Sequence, residues 1–374
     1  MSAMPDGTAR EALIDVGAIA ANTRRFARVT ETEVLAVAKA DAYGHGAVRA
    51  ARAAIDGGAT RLGTADINEA LELRRAGIMA PILSWLHAPG ASFAEAAAAH
   101  VALGISSMDQ LQAAAAAATA DRPTRIHLKL ETGLSRNGIA PEDWNHVVAE
   151  AARWERLGKV AIEGIFSHVS NTSIADDQQA LDRYNEGVAI AASLGVHPEI
   201  RHLAATSAAL ALPAARLDAV RIGVGLYGLS PFDDRTSAEL GLRPAMTLRA
   251  AVANVRRVPA GTGLSYGYTH RTTRETTLAL VPLGYADGIP RSSSNRGTVA
   301  IAGKTFTVSG RVAMDQFIVD VGDHPVSIGD EVIVFGDPTL GVPSAEDWAE
   351  ASDTINYEIV TRIGPRVTRR SVSS

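Results

Sequence analysis

The feature that most constrains the fold is a regular alternation of short aliphatic runs with longer segments of helical periodicity, from residue 33 to about residue 230. Strand candidates that alternate with helix candidates are typical of βαβ units and a parallel sheet. The runs are EVLAVAK, TRLGTAD, APILSWL, HVALGIS, RIHLKLE, AIEGIFSHV, EIRHLAATS and AVRIGVG. Eight strands close a TIM-type (β/α)8 barrel, so we expect this fold, with helices such as Ala47–Asp56 and 67–76 between the strands.

The pattern changes near residue 243. Short alternating runs now follow one another with glycine, proline and Gly-Asp turns between them, as in TLRAAVANVRRV, TTLALVPLGY, GTVAIAGKTFTV and QFIVDVG. Such runs predict β-strands. The 374 residues suffice for a barrel and a smaller second domain. We therefore predict a barrel over residues 11–240 and a β-rich domain over residues 243–374, with frayed ends that include the final RRSVSS.

Composition and charge exclude several classes of protein. The net charge is only −5 and no basic stripe is present, so we do not expect a nucleic-acid partner. The chain has no cysteine, which excludes disulfides and thiolate chemistry, and no HExxH, Cys/His cluster or EF-hand pattern predicts a metal. The longest apolar stretch, ASFAEAAAAHVALGI, is too short and too polar to span a membrane. The first 15 residues do not resemble a secretion signal, so we expect a cytoplasmic location.

Polar residues just past the aliphatic runs are candidates for an active site, because the carboxyl ends of barrel strands form the catalytic face. They are Lys39, Tyr43, Lys129, Arg136, His168, Ser207, Arg221 and Gly223. Any one of them alone would more simply be a polar loop residue. Their joint placement at one end of the predicted barrel favours a single functional site.

The segment RIGVGLYG satisfies G-x-G-x-x-G through Gly223, Gly225 and Gly228. A dinucleotide-binding fold is nevertheless disfavoured, because the motif closes the alternating region instead of opening it and no second βαβ half follows. In TIM-type barrels a phosphate site forms after strands seven and eight. We therefore expect Ser207, Gly223 and Val224 to bind a phosphate group.

A phosphate site combined with a lysine at the end of the first barrel strand indicates a phosphorylated aldehyde cofactor. Lysine forms a Schiff base with pyridoxal 5'-phosphate once its ammonium, with an ordinary pKa of about 10.4, is deprotonated by desolvation or by nearby positive charge. Lys39 is the residue we expect to do this.

The chain resembles the alanine racemase family, whose members combine a pyridoxal-phosphate-binding barrel with a C-terminal β domain. The most specific segments are AVAKADAYGHG, HLKLETGLSRNG, RIGVGLYG, LSYGYTH, PLGYADG, GRVAMDQ and INYEI. The resemblance implies a homodimer in which Lys39 and the partner's copy of Tyr266 are two catalytic bases on opposite faces of the substrate α-carbon. It also implies that His168, linked to Arg221, helps this tyrosine to ionise.

The resemblance assigns the remaining roles. Arg221 faces the pyridine nitrogen and, because it keeps its proton, weakens the cofactor as an electron sink; barrel decarboxylases typically have an acid there. Arg136 lies near the phenolic oxygen and the substrate carboxylate, and Lys129 is carbamylated in many members. The implied phosphate ligands are Tyr43, Ser207, Gly223, Val224 and Tyr357. Tyr285 and Met314 of the other subunit line a narrow entrance that, with Tyr357, favours a methyl side chain.

The implied function is interconversion of L-alanine and D-alanine, which supplies D-alanine for peptidoglycan. Three positions depart from the family pattern: Thr206 replaces a common asparagine, Ala313 replaces a serine or cysteine, and the tail RVTRRSV does not close on a tyrosine. These departures leave substrate range open. The alternatives are a racemase for serine or a broader set of amino acids, a decarboxylase of the same fold, and a pyridoxal-phosphate-binding or homeostasis protein, which usually lacks the β domain.

Overall fold

The computed structural model describes residues 7–373, and its larger unit is a parallel barrel. The barrel strands are β2 (Glu33–Val37), β3 (Arg61–Thr64), β4 (Ile82–Ser84), β5 (Val101–Ile105), β6 (Thr124–Lys129), β7 (Val160–Phe166), β8 (Ile200–His202) and β9 (Ala219–Ile222), preceded by β1 (Arg10–Asp15). Their order is β8-β7-β6-β5-β4-β3-β2-β9, and a parallel bridge between Ala205 and Arg221 brings the two ends together. Each predicted run contains one strand, so the prediction of an eight-stranded barrel is confirmed.

Helices cover the outside of the barrel. They are α1 (Val16–Thr30), α2 (Lys39–Gly44), α3 (Ala47–Asp56), α4 (Ile67–Arg75), α5 (Phe93–Ala98), α6 (Met108–Ala116), α7 (Pro141–Arg156), α8 (Ile174–Ser193) and α9 (Thr206–Ala211). Each long helix buries one face; α7, for example, buries Trp144, Val147, Val148 and Ala151. None of these helices, nor any other within residues 7–373, is long and apolar enough to cross a membrane.

The second unit is built mainly from β-strands, as the sequence predicts. Its elements are β10 (Met246–Ala251), β11 (Asn254–Val258), β12 (Gly263–Leu264), β13 (His270–Arg271), β14 (Thr276–Val281), β15 (Thr298–Ile301), β16 (Lys304–Thr307), β17 (Phe317–Gly322), β18 (Glu331–Phe335), α10 (Ala345–Ala351), α11 (Asn356–Thr361) and β19 (Thr368–Val372). Short 3-10 helices occur at Val224–Tyr227, Tyr266–Tyr268 and Tyr285–Asp287, among others.

The largest sheet of the second unit contains the first and the last strand of the described residues, β1 and β19. Its order is β16-β15-β18-β10-β1-β19, with β1 antiparallel to β10 and parallel to β19. The expectation that the final residues fray is wrong for residues 369–372, which pair with β1, while Ser374 lies outside the described residues. Because this pairing joins distant segments of the chain, local sequence patterns do not reveal it. The domain boundaries 11–240 and 243–374 stay predictions.

A buried ionic network connects these three strands. Glu11 of β1 accepts hydrogen bonds from Arg249 Nε of β10 at 2.9 Å and from Arg370 Nε of β19 at 3.0 Å. Glu11 and Arg249 are both almost fully buried. Burial opposes ionisation of Glu11, but the hydrogen bonds from Arg370 and Arg249 outweigh it and hold the pKa of the carboxyl below its usual value. The network therefore requires an ionised Glu11.

We expect Glu11→Gln to lower the free energy of unfolding by about 3 kcal/mol at neutral pH, because it removes the buried carboxylate that accepts hydrogen bonds from both Arg249 and Arg370. A depressed carboxyl pKa contributes stability above the unfolded-state pKa, and this contribution disappears as the pH falls through the folded-state pKa. The difference between wild type and variant should therefore shrink on acidification, which denaturant titrations at several pH values would measure. Glu275→Gln, in an exposed pair with Arg257, is the control and should cost less than about 1 kcal/mol. Equal losses in both variants would contradict the assignment.

Candidate active site

A cavity of about 280 Å³ opens at the carboxyl ends of the barrel strands. It is lined by Val37, Lys39, Tyr43, Trp85, Lys129, Arg136, Phe166, His168, Asn171, Ala205, Thr206, Ser207, Arg221, Gly223, Val224 and Tyr357. All the residues collected from the strand ends in the sequence are among them. Tyr357 comes from α11 of the second unit, so the two units of one chain build the cavity together.

The cavity is strongly basic. Lys39, Lys129, Arg136 and Arg221 line it, and none of its lining residues, all within the described range, is an aspartate or glutamate. Burial, and after it the charge of Arg136, lowers the pKa of Lys39 below its ordinary value. Burial and the charge of Arg221 lower the pKa of Lys129 to about 8. Four basic groups in one cavity of a chain with net charge −5 indicate a ligand with several negative charges.

An unusual turn places Lys39 and Tyr43 in the same cavity. Residues 40 to 43 of α2 all have left-handed backbone angles, with φ between 52° and 55°. For residues other than glycine each such conformation costs roughly 1–2 kcal/mol. The turn follows β2 and Lys39, and a lysine at the strand end and a tyrosine four residues later both line the cavity.

Two side chains from other segments, and that of His45 directly after the turn, hold this turn. The Ala40 N–H donates to Glu69 Oε1 of α4 at 2.7 Å, and Arg369 Nε of β19 donates to the Gly44 carbonyl at 2.8 Å. His45, fully buried, lies with Nδ1 2.9 Å from the Tyr43 carbonyl and 3.0 Å from the Ala42 carbonyl. Burial lowers the pKa of His45 to about 4, so the ring is neutral and donates through Nδ1. His45 therefore stabilises the turn through hydrogen bonds to two of its carbonyl groups.

The residues of the predicted phosphate site line the same cavity as Lys39. A Cβ added to Gly223 would come within 2.3 Å of the Tyr43 hydroxyl oxygen, so any side chain there would displace the tyrosine. The Gly223 N–H donates to Thr206 Oγ1 at 3.2 Å, and Ser207 Oγ donates to Asn171 Oδ1 at 2.6 Å. Hydroxyl groups and backbone N–H groups at the starts of two short helices are the donors that phosphate oxygens accept from.

Arg221 is a buried cation surrounded by neutral acceptors. Its Nη1 donates to His202 Nδ1 at 2.9 Å. Its Nη2 donates to the Ser167 carbonyl at 2.6 Å and to His168 Nδ1 at 3.1 Å. Burial lowers the pKa of Arg221 to about 10, so it stays charged near neutral pH. Burial and the charge of Arg221 push the pKa of His168 well below its ordinary value. His168 is therefore neutral, and because its Nδ1 accepts from Arg221, its Nε2 bears the proton.

Three predicted residues lie outside the cavity. Tyr266, Tyr285 and Met314 expose 71%, 43% and 53% of their surface. They belong to one connected region of the second unit: the Tyr285 N–H donates to the Ala313 carbonyl at 3.1 Å, and Ser265 Oγ donates to the Arg311 carbonyl at 2.7 Å. Exposed aromatic and methionine side chains grouped in this way are typical of an interaction surface.

Sequence reasoning did not select Trp85, Phe166 and Asn171. The Phe166 ring lies beneath two cations, with its centroid 5.6 Å from Lys129 Nζ and 5.5 Å from Arg221 Cζ, and it stacks on His202 at 4.9 Å. Trp85 follows β4, and Phe166 ends β7, so both occupy strand ends. A search restricted to polar strand-end residues omits such aromatic rings, and adding them would have identified both.

Comparison with known proteins agrees with this arrangement. The sequence profile of the alanine racemase N-terminal domain matches residues 14–231, and that of the alanine racemase C-terminal domain matches residues 245–371. An alanine racemase of Thermobifida fusca is 50% identical over 364 residues, which cover 96% of this chain and 97% of the relative. An alanine racemase of Mycolicibacterium smegmatis is 45% identical, over 96% of this chain and 94% of the relative.

Solved structures agree closely as well. The crystal structure of alanine racemase from D-cycloserine-producing Streptomyces lavendulae has a TM-score of 0.97 at 47% identity, over 99% of this chain and 98% of that chain. The alanine racemase of Streptomyces coelicolor A3(2) has a TM-score of 0.94 at 45% identity, over 98% of both chains.

Proposed function

The chain belongs to the alanine racemase family, and from this membership and the geometry of the cavity we propose that it interconverts L-alanine and D-alanine with pyridoxal 5'-phosphate as cofactor. The observation that supports this most directly is the basic cavity at the barrel mouth. A phosphorylated cofactor and a substrate carboxylate together bring several negative charges, which Lys39, Lys129, Arg136 and Arg221 match. The product D-alanine would be used for peptidoglycan.

The residues present fit this cofactor. Tyr43, Ser207, Gly223, Val224 and Tyr357 would hold its phosphate, and the close approach of the Tyr43 hydroxyl to Gly223, which leaves no room for a Cβ, is the strongest sign of such a cradle. Lys39 would hold it covalently, because a lysine whose pKa is lowered by burial and Arg136 is a better nucleophile. When bound, the cofactor would withdraw electrons and make the α-hydrogen of alanine acidic.

Lys39 and His168 would manage the protons on the two sides of the substrate. Lys39, released from the cofactor, would be the base on one face. Phenols ionise only near pH 10, so a tyrosine base on the other face needs a donor beside its oxygen. His168 can be that donor, because its Nε2 bears the proton when Nδ1 accepts from Arg221.

Arg221 would face the ring nitrogen of the cofactor. A guanidinium keeps its proton, so it would leave that nitrogen unprotonated and limit side reactions such as transamination. Two imidazole nitrogens and a backbone carbonyl, all neutral acceptors, hold it in place without neutralising its charge. An arginine here is also the reason that we disfavour a decarboxylase.

The tyrosine base would come from a second copy of the chain. Tyr266 is exposed, as are Tyr285 and Met314, so a homodimer that places this surface over the cavity of its partner would complete both sites. Tyr285 and Met314 would then narrow the entrance and, with Tyr357, favour a small side chain.

Arg136 and Lys129 would orient the substrate carboxylate and the phenolic oxygen of the cofactor. A lysine with a pKa of about 8 has an appreciable neutral fraction, which reaction with carbon dioxide requires. Carbamylation would turn Lys129 into an anion able to fix Arg136. A carbamate signal in the ¹³C NMR spectrum of protein kept in labelled bicarbonate would detect it, and its absence would rule it out.

A chiral assay of purified protein with pyridoxal phosphate tests the proposed function. We expect L-alanine to be converted to an equal mixture of both enantiomers, and D-alanine likewise, with L-serine converted more slowly because its side chain is larger and polar. If cofactor is bound and neither enantiomer of alanine is formed from the other, the proposal is wrong. Faster conversion of serine than of alanine would instead support a racemase of different specificity.

We expect Gly223→Ala to weaken binding of pyridoxal phosphate by about tenfold to a hundredfold, since the added methyl group collides with the Tyr43 hydroxyl. Titration of apoenzyme with cofactor, followed by absorbance, would measure this. Gly364→Ala is the matched control, because its Cβ would meet nothing closer than 3.3 Å. Unchanged affinity in Gly223→Ala would remove Gly223 from the phosphate site.

A further inference from the structure

A row of polar side chains leads from Arg221 through the interior of the barrel. Below Arg221 lies His202, whose Nδ1 accepts from Arg221 Nη1 at 2.9 Å. His202 Nε2 lies 2.9 Å from His127 Nδ1, and His127 Nε2 lies 3.7 Å from Glu163 Oε2. Both imidazoles are almost completely buried. The row therefore connects the cavity with the partly exposed carboxylate of Glu163 in β7.

The proton positions along this row follow from the geometry. A guanidinium only donates, so His202 Nδ1 has no proton and its Nε2 has one. This Nε2–H donates to His127 Nδ1, which must then be unprotonated, so the proton of His127 is on Nε2 and faces Glu163. Each ring is thus neutral and in a single tautomer, and the carboxylate of Glu163 lies at the end of the row, 3.7 Å from His127 Nε2.

The backbone around Glu163 is shaped for this contact. The register between β6 and β7 shifts there: Ile126 is opposite Ile162, and His127 is opposite Gly164, so that Glu163 is an extra residue. Bulges of this kind redirect a side chain. A Cβ on Gly164 would come within 2.2 Å of His127 Nδ1, so the glycine provides the space for the ring. A bulge and a glycine at adjacent positions favour a specific role over chance proximity.

We propose that Glu163 is a positioning residue for the reaction. Its carboxylate orients His127, His127 orients His202, and His202 Nδ1 is an acceptor that holds Arg221 in place beneath the cofactor. The influence of Glu163 on catalysis rests on the proposed function, but its influence on the histidines does not. Glu163 Oε1 accepts from Arg125 Nε, while Oε2 faces His127 Nε2, so the two carboxylate oxygens have different neighbours. An ion pair with a partly exposed arginine would by itself matter little.

Glu163→Gln tests the proposal because glutamine has one acceptor oxygen for two donors. If Arg125 donates to this oxygen, the amide NH2 group of the glutamine faces the Nε2–H of His127. Two donors then face each other, so His127 must change tautomer or turn away. Arg125→Gln is the matched control, since it removes the outer partner and leaves both carboxylate oxygens. The readout is the ¹H–¹⁵N ring spectrum of histidine-labelled holoenzyme near neutral pH, with His127 assigned from His127→Gln.

We expect single Nε2–H tautomers for His127 and His202 in wild type and Arg125→Gln, and a second tautomer or exchange broadening in Glu163→Gln. We also expect kcat to fall about tenfold in Glu163→Gln, with KM changed less than about twofold. Unchanged ring spectra in Glu163→Gln, or equal effects in Arg125→Gln, would overturn the proposal. If Glu163→Gln does not fold, the ring signals of His202 are measured in His127→Gln instead. We expect them to be disturbed, and unchanged His202 signals would overturn the proposal. The spectra are informative even if the protein racemises nothing, so this inference and the proposed function can fail separately.

Discussion

Lys39→Ala is expected to abolish racemisation of alanine, with a loss of roughly 10⁴-fold or more, and to end covalent attachment of the cofactor. The variant removes one base and the only amine we assign to the covalent bond. Lys39 reaches the cavity because the left-handed turn at residues 40 to 43 begins directly after it, and burial together with Arg136 lowers its pKa. Borohydride reduction followed by peptide mass analysis measures attachment, and the chiral assay measures turnover.

Lys129→Ala is the matched control for this result. Lys129 lines the same cavity and also has a lowered pKa, so chemical reactivity alone does not distinguish the two lysines. We expect the control to retain trapping at Lys39 even if its turnover is reduced. Trapping at Lys129, or at any other lysine, in the Lys39→Ala protein would remove Lys39 from its proposed role.

The barrel and most of the cavity could be predicted because both depend on local patterns. A buried parallel strand needs a short aliphatic run, and each of the eight runs contains one strand. The rule that barrel active sites form at strand ends then selects Lys39, Lys129, His168 and Arg221 without knowledge of their contacts, and the structure brings them into one cavity.

Features that depend on distant partners could not be predicted. The network joins Glu11 to Arg249 and Arg370, each more than two hundred residues away along the chain, and nothing near Glu11 indicates it. The left-handed turn has no glycine at residues 40 to 43, so the usual sign of such a conformation is missing; contacts from Glu69 and Arg369 hold it. The bulge at Glu163 is likewise visible only from the pairing of β6 with β7.

Tyr266→Phe is expected to lower racemisation by about a thousandfold in both directions, because a proton must be removed on one face and returned on the other. Exchange of the α-hydrogen with deuterated water should persist for one enantiomer, since Lys39 still acts on its own face. Tyr268→Phe is the matched control: Tyr268 is exposed in the same 3-10 helix and should leave turnover near wild type. Loss of exchange for both enantiomers, or a normal rate of racemisation, would contradict a two-base mechanism with Tyr266.

The same variant shows whether the two bases come from different subunits. If each site takes Lys39 from one chain and Tyr266 from the other, a mixed dimer of Lys39→Ala and Tyr266→Phe chains has two different sites. One site contains both substitutions, and the other contains neither. Random exchange makes half of the dimers mixed, so about a quarter of wild-type activity should return from two inactive proteins. If Lys39 and Tyr266 of one subunit worked together, every site in every dimer would lack one base, and no activity would return. Subunit exchange, verified with a tagged chain, therefore makes the recovery a direct measure of the proposed dimer.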